Sequence, residues 1–439
     1  MKPSLRTVIL LGAAARLVAL WLGPPLHPDA IFQYLEPAWH HLHGYGWLAW
    51  EWGVGLRSWV LPGYHGAWMA ALDLLGVHGG FAAQIILQAH WGLLSLLIIP
   101  AAFRAGGPFA AVLCAFWPEL VQLSPQTLTE VPSAIAITLG YAAWLQARTL
   151  EGAEERRAAL VAGALLSFAC CLRIPNGPLA LVPAVDFLVR RRKAALGALA
   201  LASLGPLLFF GAVDWITWGR PFHSMAAFLN YNFLQGRAAE HGVSPWYDYS
   251  LQLLFLTSGT IVIVIAAAAL DWRRTWMTAG PSLLLVVLLS TQRHKEERFI
   301  LACWPLLAIA WGVAMQRRTT LVAWLSTALV LLGTLYGVAH RPLLDYARRT
   351  GLYEAEAWVG QQPDVTGLLV FEWIHLSGGF LDFSRNLPLE PFGPQLLANP
   401  IFNYAAVKEN SREADLCSRA GFVRVQGRRE WAVWRRASR

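Results

Sequence analysis

His27-Pro28-Asp29-Ala30-Ile31-Phe32-Gln33-Tyr34-Leu35-Glu36 follows an apolar run at 5–23 directly and opens a loop that extends to about Ser58. The loop carries four charged side chains, Asp29, Glu36, Glu51 and Arg57. Around them stand Phe32, Tyr34, Trp39, Tyr45, Trp47, Trp50 and Trp52, together with His40, His41 and His43. An acid just outside an apolar span, ringed by aromatics and a cation, has the composition of a site. Trp and Tyr also gather at membrane surfaces for packing reasons alone, so composition leaves both readings standing.

The rest of the chain fixes the solvent. Of 439 residues 56% are hydrophobic, 14% are charged and 22 are Trp, which excludes an ordinary soluble domain and indicates a polytopic membrane protein. The five cysteines, Cys114, Cys170, Cys171, Cys303 and Cys417, are odd in number and four lie in apolar runs. They imply neither a disulfide framework nor a zinc site. The net charge of +8 is not a nucleic-acid signal, because it comes from short basic clusters between apolar runs. Met1–Gly23 has Lys2 and Arg6 ahead of its apolar stretch. Gly23-Pro24-Pro25 is a poor cleavage site, so this segment is read as a retained first helix.

Apolar runs lie near 5–23, 58–76, 82–103, 108–123, 127–147, 156–172, 175–189, 194–214, 249–270, 277–291, 298–315 and 319–339. Some fall short of the roughly 20 residues that a perpendicular span needs. Basic clusters occur at Lys2/Arg6, Arg104, Arg148 with Arg156/Arg157, Arg190–Lys193, Arg273/Arg274 and Arg317/Arg318. Placing these on the cytoplasmic side puts the loops at 24–57, 215–248 and 292–297 outside, with the segment from about 340. Arg104 fits only if one early run fails to cross. That run is 58–76, which contains Pro62, Gly63 and Asp73. The expectation is about 11 spans in residues 1–339. A small extracytoplasmic α/β domain follows at 340–439, with strands near Gly367–Phe371 and Trp431–Trp434.

The order of residues in the first loop narrows the function. His-Pro-Asp-x-Ile-Phe-Gln-Tyr-Leu-Glu-Pro, Gly44-Tyr45-Gly46, Trp50-Glu51-Trp52 and Arg57-Ser58-Trp59-x-Leu61-Pro62-Gly63 together resemble the first external loop of glycosyltransferase family 22. These are the GT-C-fold mannosyltransferases of GPI-anchor and lipid-linked oligosaccharide assembly. His294-Lys295-Glu296-Glu297-Arg298-Phe299 is similarly a hallmark of that family and is intact here. The Asp214–Tyr249 loop, with Asn230-Tyr231-Asn232-Phe233 and Pro245-Trp246-Tyr247, is similar to the family's pattern. Phe402-Asn403-Tyr404 and Gly421-Phe422 weakly resemble its tail. The family's His-Pro-Asp-Glu is broken in this chain, where Ala30 stands in place of the second acid.

The resemblance implies a GT-C transferase that takes a mannosyl, or more generally hexosyl, unit from a polyprenyl- or dolichyl-phosphate sugar. The acceptor is a lipid or glycan outside the cytoplasm. The membrane is a bacterial inner membrane or the endoplasmic reticulum, with a lean to the former. Inverting transfer needs one carboxylate to take the acceptor proton, and Asp29 is the candidate; its alternative role is capping a helix that begins at Ala30. Arg293, Lys295 and Arg298 run against the positive-inside bias, so an anionic lipid phosphate is their natural partner. His294, Lys295 and Arg298, with Arg173 at a helix break, are therefore the donor-phosphate candidates; a solvated hairpin is the alternative. Glu36, Trp50, Glu51, Arg57, Asn230, Asn232 and Trp246 are the acceptor- and sugar-side candidates. Glu130 joins them as a second carboxylate, although the first turn of a helix also suits an acid. No cofactor and no metal are expected, since a monophosphate donor needs little charge neutralisation and the spacing of His40, His41 and His43 is unconvincing. The rival functions are a lipid-linked sugar transporter or flippase and an inactive homologue. The first would want mid-helix polar groups and an inverted repeat; Ala30 is the argument for the second.

Overall fold

The computed structural model describes residues 4–22, 27–339, 350–371 and 376–437. The Gly23-Pro24-Pro25 turn and the boundary expected at about 340 lie outside the described residues. The chain divides into two compact units. The first comprises Met1–Trp21, Gly55–Trp59 and His90–Arg341, and the second comprises Leu22–Val54, Val60–Ala89 and Pro342–Arg439.

The first unit is helical. Glu130–Ala147, Gly152–Leu172, Gly177–Val189 and Lys193–Trp218 follow one another through short turns. Where Gly152–Leu172 meets Lys193–Trp218, the backbones touch. A Cβ on Gly163 would lie 2.2 Å from the Leu199 carbonyl oxygen, so only glycine permits this approach. Ser167 Oγ donates to the Ser203 carbonyl at 2.7 Å across the same seam. Apolar surface faces outward elsewhere: Leu201 and Leu208 on Lys193–Trp218 are 66% and 63% exposed, which suits a lipid surround.

The charged groups sort to opposite ends of these helices. At one end Arg148 Nε lies 3.0 Å and Arg190 Nε 3.1 Å from the Asp186 carboxylate, and Arg192 Nη1 lies 2.7 Å from Glu155 Oε1. At the other end stand Glu130 and Arg173. Trp272–Ser290 and Cys303–Met315 repeat the arrangement, with Arg317 Nη1 3.1 Å from Asp271 Oδ1 at one end and the 291–298 turn at the other. Arg298 Nη1, 3.3 Å from Glu130 Oε1, joins the two sets at their less basic ends.

Among the described residues three helices are long and apolar enough to cross a bilayer: Gly80–Gly106, Lys193–Trp218 and Thr320–Gly337. Asp248–Leu256 and Ile261–Leu270, bent by 104° at their junction, add a fourth if they form one broken span. The expected count of about 11 is not reached on length and composition. The reason is local. The 108–123 run breaks into Pro108–Phe116 and Pro118–Leu123, because Trp117 precedes a proline and is driven to an extended ψ of 118°. The carbonyls released there are taken by Arg16, whose Nη1 donates to Ala115 O at 3.1 Å and Nη2 to Cys114 O at 3.3 Å. The 249–270 run breaks at Ser258 and Gly259, whose φ values are 48° and 80°. Of 298–315, only Cys303–Met315 is α-helical. Conversely, the 194–214 run extends to Trp218. The 215–248 loop therefore begins at Gly219, and it contains the helix His223–Leu229 and shorter turns.

The second unit holds the sheet. β1 (Leu368–Val370), β2 (Leu389–Pro391), β3 (Tyr404–Lys408), β4 (Phe422–Arg428) and β5 (Trp431–Arg436) lie in the order β2-β1-β3-β5-β4. The first three are mutually parallel and β5 is antiparallel to both its neighbours, with a bulge in β4 between Arg424 and Gln426. Thr350–Gly360 packs on one face, burying Leu352, Ala355 and Val359 against Leu368, Tyr404 and Val433. The strands expected at 367–371 and 431–434 are present. This α/β segment does not stand alone, since it shares a compact unit with Leu22–Val54 and Val60–Ala89.

Candidate active site

In the second unit, residues 28–43 are helical throughout, but 30–35 form a wide π-turn in which the Glu36 N–H donates to the Ile31 carbonyl. π-turns inside α-helices are rare and frequently occur at functional sites. Asp29 lies one residue before it with helical dihedrals (φ −62°, ψ −28°) and makes no side-chain cap bond. Capping therefore does not account for its carboxylate, whose side chain is 27% exposed. The Asp29 N–H donates to His27 Nδ1 at 3.1 Å, which leaves the His27 proton on Nε2 when the ring is neutral.

The neighbouring acids are enclosed. Glu51 is buried and its Oε1 accepts from Gln33 Nε2 at 2.7 Å. Glu36 is fully buried: Oε1 accepts from the Leu381 N–H at 3.0 Å and Oε2 from the Trp47 N–H at 3.1 Å. Burial pushes its carboxyl up to about 8, against the opposing pull of these backbone donors. Trp50, the aromatic sugar-side candidate of this loop, is 46% exposed.

In the first unit the charged residues of distant segments meet. Glu130, buried at the start of Glu130–Ala147, receives Arg173 Nη1 at 2.8 Å and Arg298 Nη1 at 3.3 Å. Glu296 takes Arg298 from the other side, through Nε at 2.6 Å and Nη2 at 3.1 Å, and His294 Nε2 lies 2.9 Å from its Oε1. Both guanidinium groups stand over the Phe299 ring, with Arg173 at 4.5 Å and Arg298 at 5.3 Å from its centroid. Two arginines are thus held side by side against two carboxylates and one aromatic face. The arrangement presents forked donors in fixed geometry, the form of cation that suits a phosphate.

Lys295 differs from its neighbours. Its ammonium is buried and donates to the carbonyls of Ser244, at 3.1 Å, and of Gln292. The Ser244 N–H donates to the Arg293 carbonyl at 2.9 Å. Lys295 therefore ties the 219–247 segment to the 291–298 turn, two stretches that the sequence could mark but not join. His241, whose ring centroid is 6.3 Å from that of His294, extends the junction, and Tyr231 Oη lies 3.2 Å from His241 Nε2. Asn230–Leu234 is a second π-turn. Asn232 Nδ2 donates to the Phe228 carbonyl at 3.0 Å, Asn230 is exposed, and Trp246 is 74% exposed. The Arg57 carbonyl accepts from Trp218 Nε1 at 3.2 Å.

Sequence reasoning grouped Glu130 with the sugar contacts, and its observed neighbours are two phosphate candidates. It passed over Glu296, which carries one side of the arginine pair, although the residue lies within the quoted motif. It quoted Asp214 at the head of the 214–249 loop without giving it a role; the residue is buried at the end of Lys193–Trp218, and its Oδ2 accepts from the Ser224 N–H at 2.8 Å and Oγ at 2.6 Å.

The model of the Alg9-like mannosyltransferase family matches residues 7–357. GPI mannosyltransferase 3 of Yarrowia lipolytica is 29% identical over 380 residues, covering 82% of this chain and 72% of that protein. GPI alpha-1,2-mannosyltransferase 3 of Mus musculus is 27% identical over 323 residues, covering 70% of this chain and 57% of that protein. The chain spans 72% of the length of the first relative and 57% of the second. Among solved structures, ArnT from Cupriavidus metallidurans bound to undecaprenyl phosphate matches with a TM-score of 0.64 at 14% identity, over 98% of this chain and 97% of that one. At that identity the likeness is one of fold, the GT-C architecture. With the family model matched from the first helix to the helix Thr350–Gly360, the chain belongs to the Alg9-like mannosyltransferase family.

Proposed function

We propose that this glycosyltransferase moves a mannosyl unit, or more broadly a hexosyl unit, from a polyprenyl- or dolichyl-phosphate sugar to a glycolipid or glycan acceptor outside the cytoplasm, with inversion. The observation that carries the reading is the pair Arg173 and Arg298, held over Phe299 by Glu130 and Glu296. Lipid-phosphate chemistry is further supported by the names of the relatives and by the undecaprenyl phosphate of the ArnT structure. The sorting of Arg148, Arg190, Arg192 and Arg317 to the helix ends remote from Glu130 and Arg173 supports an extracytoplasmic reaction.

In the proposed reaction Asp29 accepts the proton of the acceptor hydroxyl as that oxygen bonds to the anomeric carbon. The bond from that carbon to the phosphate oxygen breaks, and its electron pair leaves with the lipid phosphate. Arg173, Arg298 and His294 stabilise the charge that develops on the leaving oxygen, and a site with little water strengthens the effect. The lipid phosphate draws the two guanidinium groups from carboxylates already beside them, so binding exchanges one set of charge-assisted bonds for another. Lys295 acts by holding the 219–247 segment in place. Trp50 and Trp246 offer the sugar and acceptor stacking faces, with Glu51, Arg57, Asn230 and Asn232 as polar contacts; Glu36 supports its own helix.

The test supplies the purified protein with radiolabelled mannose as its polyprenyl phosphate and as its nucleotide diphosphate, with a glycolipid acceptor. The expected result is transfer from the lipid phosphate alone, lost in Arg173→Ala. Transfer from the nucleotide sugar, or undiminished transfer in Arg173→Ala, contradicts the proposal.

A further inference from the structure

We infer that Glu36 is a positioning residue whose side-chain carboxyl locks the Gly379–Leu381 turn of the C-terminal segment onto the helix bearing Asp29, and so fixes the aim of the Asp29 carboxylate. The inference rests on the reading of Asp29 as the base.

Glu36 lies seven residues beyond Asp29 on one unbroken helical stretch, 28–43, so whatever holds Glu36 holds the rod that carries Asp29. Its two oxygens are divided between two partners. Oε2 binds the Trp47 N–H within the first loop, and Oε1 binds the Leu381 N–H of the C-terminal segment. Both partners are shaped around it by glycines with left-handed φ. A Cβ on Gly46 (φ +134°) would lie 2.7 Å from Oε2, and one on Gly379 (φ +69°) would lie 2.0 Å from Oε1. No other residue type permits these approaches.

Apolar contacts seat the same turn. The Phe380 ring meets Trp47 and Tyr45 edge-on, at centroid separations of 5.1 and 5.9 Å. Trp47 in turn lies 6.1 Å from Phe32, inside the π-turn next to Asp29. Leu381 is fully buried with Leu35, Ala38 and Trp39, residues of the Asp29 stretch. The turn is gripped from behind as well: the Ser384 hydroxyl accepts from the Gly80 N–H at 2.9 Å, and Glu356 Oε2 accepts from the Gly378 N–H at 2.8 Å. The carboxyl of Glu36 is the polar contact at the centre of this seat, buried and directed at backbone, with no face left for a ligand. A sugar contact does not explain it, and a purely local cap does not explain a bond to Leu381, 345 residues away.

The experiment compares wild type, Glu36→Gln, Gly379→Ala, Glu36→Asp with Gly379→Ala, and Asp29→Asn. Each full-length protein is purified in detergent and assayed for labelled mannose transfer from its polyprenyl phosphate. Misaiming a base by about 1 Å costs up to about a hundredfold, so kcat is expected to fall about tenfold to a hundredfold in Glu36→Gln and Gly379→Ala. KM for the donor is expected to stay within about twofold. Shortening the acid by one methylene makes room for the added methyl, so the double variant is expected to recover part of the lost kcat. Wild-type kcat in Glu36→Gln, with Asp29→Asn inactive, overturns the positioning role and leaves the base reading intact. Full activity in Asp29→Asn overturns the base reading and this inference with it. If Gly379→Ala fails to fold, the isosteric Glu36→Gln decides alone.

Discussion

Two regions of this protein bury carboxylates, and they do so by opposite means. In the first unit Glu130 and Glu296 are met by Arg173, Arg298 and His294, so each acid has a cation within 3.3 Å. In the second unit Glu36, Glu356 and Asp382 are buried around the Ser377-Gly378-Gly379 turn; Glu36 and Glu356 accept from backbone N–H groups, and the Asp382 carboxyl oxygens have no described hydrogen-bond partner. Burial and mutual repulsion push the Glu356 and Asp382 carboxyls well above the usual range, as burial alone pushes Glu36. The first region pairs its acids with cations. The second gives its charge up and serves as a fastener. The difference separates a candidate binding site from a candidate support, although both are charge clusters in the sequence.

The largest test of the contrast is Glu130→Leu. Removing this buried acid takes one carboxylate from both Arg173 and the buried Arg298, and breaking one side of a buried pair costs about 3–5 kcal/mol. Denaturation in detergent is expected to show that loss; a cost below about 1 kcal/mol would mean that the arginines are not held by Glu130.

Arg298→Lys probes geometry at constant charge. A lysine cannot reproduce the fork, so affinity for a polyprenyl-phosphate analogue is expected to weaken about tenfold, or about 1.4 kcal/mol. Equal affinity would turn the phosphate reading into one of net charge alone.

The second region predicts a pH dependence of definite sign. Glu36 in the folded chain stays protonated up to about 8, against an ordinary value of 4.5. Between these values the folded state holds a proton that the unfolded chain releases. The contribution is therefore fully present at low pH and is lost as pH rises through this window, by up to about 1.4 kcal/mol per unit for such a group. Glu356 and Asp382 shift in the same direction and reinforce it. Stability of the second unit, followed by proteolysis between pH 5 and pH 9 (about the range where such groups respond), is expected to decline with pH. A rise would mean that these acids are ionised when folded.

Asp382→Asn is the smallest expected effect. Unlike Glu36, whose two oxygens each accept a backbone N–H, the raised Asp382 carboxyl has no described hydrogen-bond partner for its amide to lose, so the change should stay within about 1 kcal/mol at neutral pH. A cost like that of Glu130→Leu would erase the distinction between the regions.

The sequence made the chemistry of each motif legible because rare residues recur in a fixed order there: His27-Pro28-Asp29, and His294 to Phe299. The apolar runs and the strands at 368–370 and 431–436 were legible from hydropathy and alternation. Pairing was not. Nothing local tells Glu130 that it will meet Arg173 and Arg298, 43 and 168 residues on, or Glu36 that its partner is Leu381. Long-range contacts of this kind depend on how helices stack, and periodicity carries no record of that. The span count of about 11 is not confirmed by helix length and composition among the described residues, for a related reason. Hydropathy windows do not see that Trp117-Pro118 or Ser258-Gly259 breaks a helix. The π-turns at 30–35 and 230–234 left no compositional trace.

The central claim, that Asp29 is the base while the arginine pair holds the donor, is tested most directly by measuring donor binding and turnover in one variant. Asp29→Asn removes a proton acceptor and changes almost nothing in size. The account predicts that transfer from polyprenyl-phosphate mannose falls by about two to four orders of magnitude while affinity for a non-transferable donor analogue stays within about twofold. Turnover close to wild type, or a loss of binding that parallels the loss of turnover, would contradict it.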